Sequence, residues 1–291
     1  MSVVMSVVMI TGCSRPTGFG QLTALAFARA GFEVYATMRR PERGAALEKQ
    51  AAADGLALHV IEQDVTDPAS NRRAVEVVLE RSGRVDVLVN NAAVSAFGAL
   101  ETVPDEKYRS VLETNFFGSV DATRAVLPAM REQASGRILF VTSLAGCVGL
   151  PGETAYGASK FAVEGMAEGL WYEVKRFGID VSIVAPAFFN TGMSASTNVE
   201  GHYEKGTAYD AFNAHIEAST IAGENAGEDP ELVANMILEA ATTEKPLLRW
   251  WPGEQGPGLA AARRAMSDAD WLPMLTGEMN LDWWIEGREP E

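Results

Sequence analysis

Cysteine is nearly absent. Only Cys13 and Cys147 occur in 291 residues, far apart and without ligand spacing, which argues against a disulfide framework or a zinc site and suits a reducing cytoplasm. Basic charge is also scarce: 24 Lys and Arg against 39 Asp and Glu leave a formal net charge of −15. Such a surface repels phosphate backbones and anionic lipid, so neither nucleic acid nor a membrane is an expected partner, and any phosphate ligand must be met by local arginines. No apolar run approaches the ~20 residues needed to cross a bilayer. The apolar start, MSVVMSVVMI, has no basic segment before it and runs directly into a glycine-rich stretch. It therefore reads as a first strand and not as a signal peptide, and its doubled SVVM leaves Met5 as an alternative start. Repeats, low-complexity tracts and a second domain are not found. A hydrophobic content of 47% with 22% charged residues belongs to a folded globular chain, expected to form one domain over residues 1–291.

What is present is an alternation of strand-like and helix-like segments, six times over, as an open parallel α/β sheet requires. The first unit is VVMI, the turn TGCSRPTGFG, and the helix QLTALAFARA stopped by Gly31. Gly12, Gly18 and Gly20 allow a tight turn and the close approach of a pyrophosphate to a helix start. A purely structural reading of such a turn is the alternative, and Pro16 stiffens it. The second strand, FEVYATM, ends in Met38 and leads to Arg39, Arg40 and Arg43. An acidic residue there would bond an adenosine ribose 2′-hydroxyl, whereas a guanidinium accommodates a 2′-phosphate. Arginine in place of acid favours NADP(H) over NAD(H), with Arg15 as a second contact, unless these are simply exposed arginines at a strand end. Asp64 and Val65 end the third strand, where Asp64 could accept a bond from an adenine amino group or serve as a loop or cap residue. The fourth strand, VDVLVNNAA, has the unbroken apolar pattern of a buried parallel strand.

The pattern predicts one long helix from Pro104 to about Arg131, kinked or closed near Pro128. Asn115 lies inside it, as a functional kink or a tolerated surface residue. Two elements later come the groups with chemical potential. Tyr156 and Lys160 are four apart in a helix-forming segment and share a face. A tyrosine titrates near 10, and an adjacent ammonium is expected to lower that value and make Tyr156 a usable acid and base. Ser143 ends the strand RILFVTS, where its hydroxyl could hold a substrate oxygen against the phenol. Beyond Pro186 the chain is rich in small and turn residues, read as a mobile substrate lid over about residues 187–227. Five of the six tryptophans fall at the C-terminal end, read as a tail over about residues 250–291 packed on the body, or else an oligomer contact.

Taken together over roughly residues 5 to 250, the glycine turn, Asn90-Asn91-Ala92-Ala93, Asn115, Ser143, Tyr156-x-x-x-Lys160 and Pro186 followed by Thr191 make the sequence resemble the short-chain dehydrogenase/reductase family. The resemblance implies a Rossmann-type sheet of seven parallel strands, an NAD(P)(H) cofactor, and a tetrad of Asn115, Ser143, Tyr156 and Lys160. In that tetrad Tyr156 exchanges the proton, Ser143 orients the substrate oxygen, Lys160 bonds the nicotinamide ribose, and Asn115 holds a water that links Lys160 to solvent. It also implies cofactor contacts at Gly12, Ser14, Arg15, Gly18, Phe19, Gly20, Arg39, Arg40, Asp64, Val65, Asn91, Ala92, Ala93, Tyr156, Lys160, Pro186, Phe189 and Thr191, the last on the nicotinamide amide. The turn is two residues longer than the family's commonest form, and Ala93 and Ala187 stand where glycines are usual. YATMRRPE and EKPLLRW look most like the branch of hydroxysteroid and retinol dehydrogenases, which implies a hydrophobic alcohol or ketone. The expected protein is an NADP(H)-dependent oxidoreductase of that substrate, without a metal, pairing as a homodimer or homotetramer. A cofactor-binding regulatory protein on the same fold, or an epimerase or dehydratase, are the alternatives.

Overall fold

The computed structural model describes residues 5–192 and 202–289. Seven parallel strands form one sheet in the order β3-β2-β1-β4-β5-β6-β7: β1 Val7–Ile10, β2 Glu33–Met38, β3 Leu58–Glu62, β4 Val87–Asn90, β5 Gly136–Val141, β6 Ile179–Val184 and β7 Arg249–Trp250. The chain reverses its direction of travel between β1 and β4, which pair with Val8 beside Val87 and Ile10 beside Val89. In such a sheet, that reversal opens a crevice at the carboxyl ends of the strands. β1 and β4 are buried at every position, as their unbroken apolar runs require once both faces are covered by helices.

Helices α1 (Phe19–Arg29), α2 (Ala45–Ala53), α3 (Pro68–Ser82), α4 (Asp105–Leu112), α5 (Gly118–Gln133) and α6 (Thr154–Val174) supply that cover. The core divides by face: Phe27, Leu47, Val233 and Ile237 pack on one side, and Val78, Met130, Val163 and Leu170 on the other. Helix α3 shows how local chemistry sets the boundaries. The Asp67 side chain accepts the Ala69 N–H at 2.8 Å, Pro68 takes the first turn, and Gly83 ends the helix in the left-handed region at φ 73°.

Two expectations are revised, for the long helix and for the stretch after Pro186. The long helix is interrupted by a π-helical turn over Glu113–Phe117, centred on Asn115, and it runs past Pro128 to Gln133. The proline is tolerated inside it, and Ala134 at φ 52° makes the stop. The stretch read as a loop after Pro186 contains helix α7 (Asp210–Asn225). Its residues 193–201 lie outside the described part. The tryptophan-rich end is helical, with α9 (Gln255–Ala265), α10 (Asp268–Glu278) and α11 (Asp282–Ile285) following α8 (Glu231–Thr242). It packs on the body: Trp271 sits with Leu144, Val148 and Ala187, while Trp283 and Trp284 cover Phe212 and Ile216 of α7.

Candidate active site

The carboxyl ends of β1, β4, β5 and β6 open into a cleft of about 280 Å³. Of the residues expected at a site, all line it except Asn115 and Arg40. Arg40 lines the adjoining depression together with Ser14, Arg39, Arg43 and Asp64. Three guanidiniums thus gather where β2 ends, and the acidic residue that would occupy that end is replaced by buried Met38.

The glycine turn is stitched to the end of β4. The Thr11 hydroxyl accepts the N–H groups of Asn91 and Ala92, each at 2.9 Å, and the Asn91 amide donates to the Thr11 carbonyl at 2.7 Å and to Gly12 at 3.2 Å. Gly12 has φ 74°, and a Cβ there would fall 2.7 Å from the Ala92 Cα; one on Gly20 would fall 2.5 Å from the Asn91 Nδ2 and 2.8 Å from the Gly12 oxygen. These two glycines are therefore required by packing between the turn and β4, which is the structural reading of the motif, while both still line the cleft. The Asn91 side chain is spent on this scaffold. Asp64 likewise accepts the Thr66 N–H at 3.0 Å and its hydroxyl at 2.8 Å through one oxygen, the loop-residue role. Val65 packs tightly against Gly118.

The sequence spacing around Tyr156 is realised at the N-terminus of α6. The Ser143 hydroxyl accepts the Ala145 N–H at 3.1 Å and faces the Tyr156 phenol, on whose pKa it acts. Gly146 lets this turn lie on α6, since a Cβ there would meet the Lys160 carbonyl at 3.2 Å. The expected lowering of the phenol pKa is not met. Burial pushes Tyr156 up, Glu153 pushes it further, and the Ser143 hydroxyl offsets only part. Lys160 donates its Nζ to the Val141 carbonyl at 2.8 Å and stands 5.5 Å from the centre of the Tyr156 ring. Burial draws its own pKa down to about 8, against the pull of Glu164.

Asn115 is buried, and its amide is occupied. Its Oδ1 accepts the Val94 N–H at 2.8 Å, and its Nδ2 donates to the Val94 carbonyl and to the Ser159 hydroxyl, each at 2.9 Å. The π-helical turn thus turns this side chain inward to brace the loop after β4 and the helix that carries Tyr156. Thr191 donates its hydroxyl to the Glu224 Oε1 at 2.9 Å and accepts the Thr17 hydroxyl at its carbonyl at 2.8 Å, so the segment after β6 ties the glycine turn to α7. Glu224 also stands beside Arg15, whose pKa is lowered by burial and raised by that carboxylate.

Residue-type reasoning passed over Thr11, Glu153 and the pair Glu164 and Arg249. Glu164 is buried beneath the site, where it accepts the Thr142 hydroxyl at 2.7 Å and the Arg249 Nε at 2.8 Å. Glu153 could have been flagged by its place three residues before Tyr156.

The family profile described as short chain dehydrogenase matches residues 6–201. The chain belongs to the short-chain dehydrogenase/reductase family. It is 40% identical over 193 residues to the 3-ketodihydrosphingosine reductase of Bacteroides thetaiotaomicron, covering 66% of this chain and 67% of that one. With human 17-beta-hydroxysteroid dehydrogenase type 1 it shares 35% over 259 residues, 86% of this chain and 78% of the relative. A short-chain dehydrogenase structure from Streptomyces avermitilis superposes with a TM-score of 0.78 at 33% identity over 98% of both chains. Solved structures of this fold hold NAD in one case and NADP in another. The chain is thus an oxidoreductase of the NAD(P)-binding, Rossmann-type class. Among the described residues no helix is long and apolar enough to cross a membrane.

Proposed function

We propose that this short-chain dehydrogenase is an NADP(H)-dependent oxidoreductase that interconverts a secondary alcohol and a ketone on a hydrophobic substrate. One observation carries the reading: the phenol of Tyr156 and the hydroxyl of Ser143 line one cleft that continues to the cluster of Arg39, Arg40 and Arg43. The residues present fit a phosphorylated dinucleotide. The glycine turn leads into the start of α1, which attracts phosphate, and the arginines have no hydrogen-bonded carboxylate among the described residues, so they are available to a 2′-phosphate. Gly12, Ser14, Arg15, Gly18, Phe19 and Gly20 would hold the pyrophosphate side, Asp64 and Val65 the adenine, and Ala92, Ala93, Pro186, Phe189 and Thr191 the nicotinamide side. The cofactor supplies or accepts the hydride at the reacting carbon.

Everything else falls to side chains. Ser143 orients the substrate oxygen, and Tyr156 gives its phenolic proton to that oxygen in reduction or takes one in oxidation. Because the phenol is held above its ordinary value, its acid form persists through neutral pH, which favours carbonyl reduction there. Lys160, still mostly charged at neutrality, faces the ribose side, and Asn115 sets the helix that bears both.

The relatives named as 3-ketodihydrosphingosine reductase and 17-beta-hydroxysteroid dehydrogenase support a hydrophobic carbonyl substrate, as do Phe97, Leu150 and Phe188 on the cleft wall. We read the segment over residues 187–227 as the substrate lid, backed by the C-terminal helices. The exposed Phe117, Phe161 and Tyr172 on the α5 and α6 side support pairing as a homodimer or homotetramer, and the free thiols suit the cytoplasm. The test is a panel of ketones and alcohols with NADPH and NADP+, read at the nicotinamide absorbance. Tyr156→Phe should abolish turnover with NADPH affinity nearly unchanged, and Ser143→Ala should cost on the order of 10²-fold in kcat. Full activity of Tyr156→Phe refutes the mechanism.

A further inference from the structure

The wall of the cleft beside the phenol carries a carboxylate that no step above uses. Glu153 caps α6, its carbonyl accepting the Gly157 N–H at 2.8 Å, and its charge acts on Tyr156 three residues on. It lines the cleft with Phe97, Leu150 and Phe188. Among the described residues no hydrogen bond or ion pair reaches its carboxylate, and burial alone raises its pKa to about 7.

The cations of the cleft are placed elsewhere. Lys160 is bonded to Val141 beside Glu164, Arg15 faces Glu224, and Arg39 stands with the arginine cluster. Residues 193–201 contain no Lys, Arg or His in sequence. A carboxylate among apolar side chains without a counter-charge is costly, and a cation brought in by the substrate supplies one.

We infer that Glu153 is a specificity-determining residue that binds a protonated amine on the substrate, so that the substrate class is a hydrophobic amino ketone or amino alcohol. The spacing limits the arrangement. Glu153 is the N-cap of α6, three residues before Tyr156, so the amine it binds and the oxygen bonded by Tyr156 lie on the same stretch of the cleft, an arrangement that a vicinal amino ketone probes. The inference rests on the oxidoreductase reading above and adds the ligand of one further group.

The experiment compares kcat/KM of the full-length protein, with NADPH, for a long-chain 2-amino-3-ketone and for the same ketone without the amino group. Wild type should prefer the amino ketone. Glu153→Gln, which keeps size and hydrogen bonding but not charge, should lose about 10- to 150-fold on the amino ketone, the equivalent of one charge-assisted bond. The same exchange removes the charge that raises the Tyr156 pKa, an effect shared by both ketones, so the deciding readout is the ratio of the two kcat/KM values, which should fall by that roughly 10- to 150-fold while the NADPH dissociation constant holds. Equal use of both ketones by wild type, or an E153Q protein that keeps the preference or loses both activities alike, overturns the assignment and leaves the oxidoreductase reading standing. Reduction of neither ketone, nor of any other in the panel, overturns both. If E153Q does not fold, the preference of wild type between the two ketones decides.

Discussion

Removing the Arg39 guanidinium tests the cofactor assignment at its weakest electrostatic point, a protein of net charge −15 asked to hold a phosphate dianion. Arg39, Arg40 and Arg43 line one depression with Ser14 and Asp64, and all three are exposed. A charge-assisted hydrogen bond in such a place contributes about 1.5 to 3 kcal/mol, or roughly 10- to 150-fold in affinity. Two neighbouring guanidiniums remain after Arg39→Ala and can take up part of the charge, so the single change belongs at the lower end, about 10-fold weaker for NADPH. Arg39→Ala, Arg40→Ala and Arg43→Ala combined should remove most of the discrimination. NADH, with no phosphate at this position, should be affected little by either protein. Adding Met38→Asp to Arg39→Ala places a carboxylate at the end of β2, where it can accept the 2′-hydroxyl and repel phosphate, and should turn the preference toward NADH. Titration of both cofactors, followed by nicotinamide fluorescence and repeated across a range of salt, gives the constants. If wild type binds NADH as tightly as NADPH, or the single change weakens both equally, the arginines are solvated bystanders.

Two further outcomes concern the carboxylates of buried Glu164 and half-buried Glu153. Glu164→Ala leaves the Thr142 hydroxyl without its carboxylate and Arg249 with Glu168 alone; it should cost about 2 kcal/mol in denaturant unfolding, and Glu164→Leu with Arg249→Met should recover most of that, which the additive sum of the single changes would contradict. Glu153 titrates near 7 in the folded protein, above its ordinary 4.5, so the native state holds more protons than the unfolded chain between those values. Its stabilising contribution is full below about 4.5 and is lost as pH rises through about 7. Glu153→Gln should therefore gain in Tm over wild type progressively across that window, and a constant difference at all pH values would show that the carboxyl is not desolvated.

Most of the sheet was readable from local pattern. Unbroken apolar runs, turns at glycine and asparagine, and caps such as Asp67-Pro68 are short-range signals, and β1 to β6 and α1 to α3 follow them. Helix α7 was not readable, because Ser219, Thr220, Ile221 and Gly223 weaken the helical preference of its second half, and packing under Trp283 and Trp284 supports it.

The sequence alone determined which groups are available and at what spacing: a phenol and an amine four apart on one helix, a hydroxyl at a strand end, glycines before α1 and arginines after β2. Those are properties of neighbours along the chain, where helix and strand periodicity govern direction. Tertiary structure alone decided how each group behaves. It brought Ser143 onto Tyr156 from a separate element, sent Lys160 to the Val141 carbonyl, turned Asn115 inward at a π-helical turn, and buried the phenol so that its pKa rises where adjacency to lysine called for a fall. Desolvation depends on everything that surrounds a group in space, and no spacing in sequence encodes it.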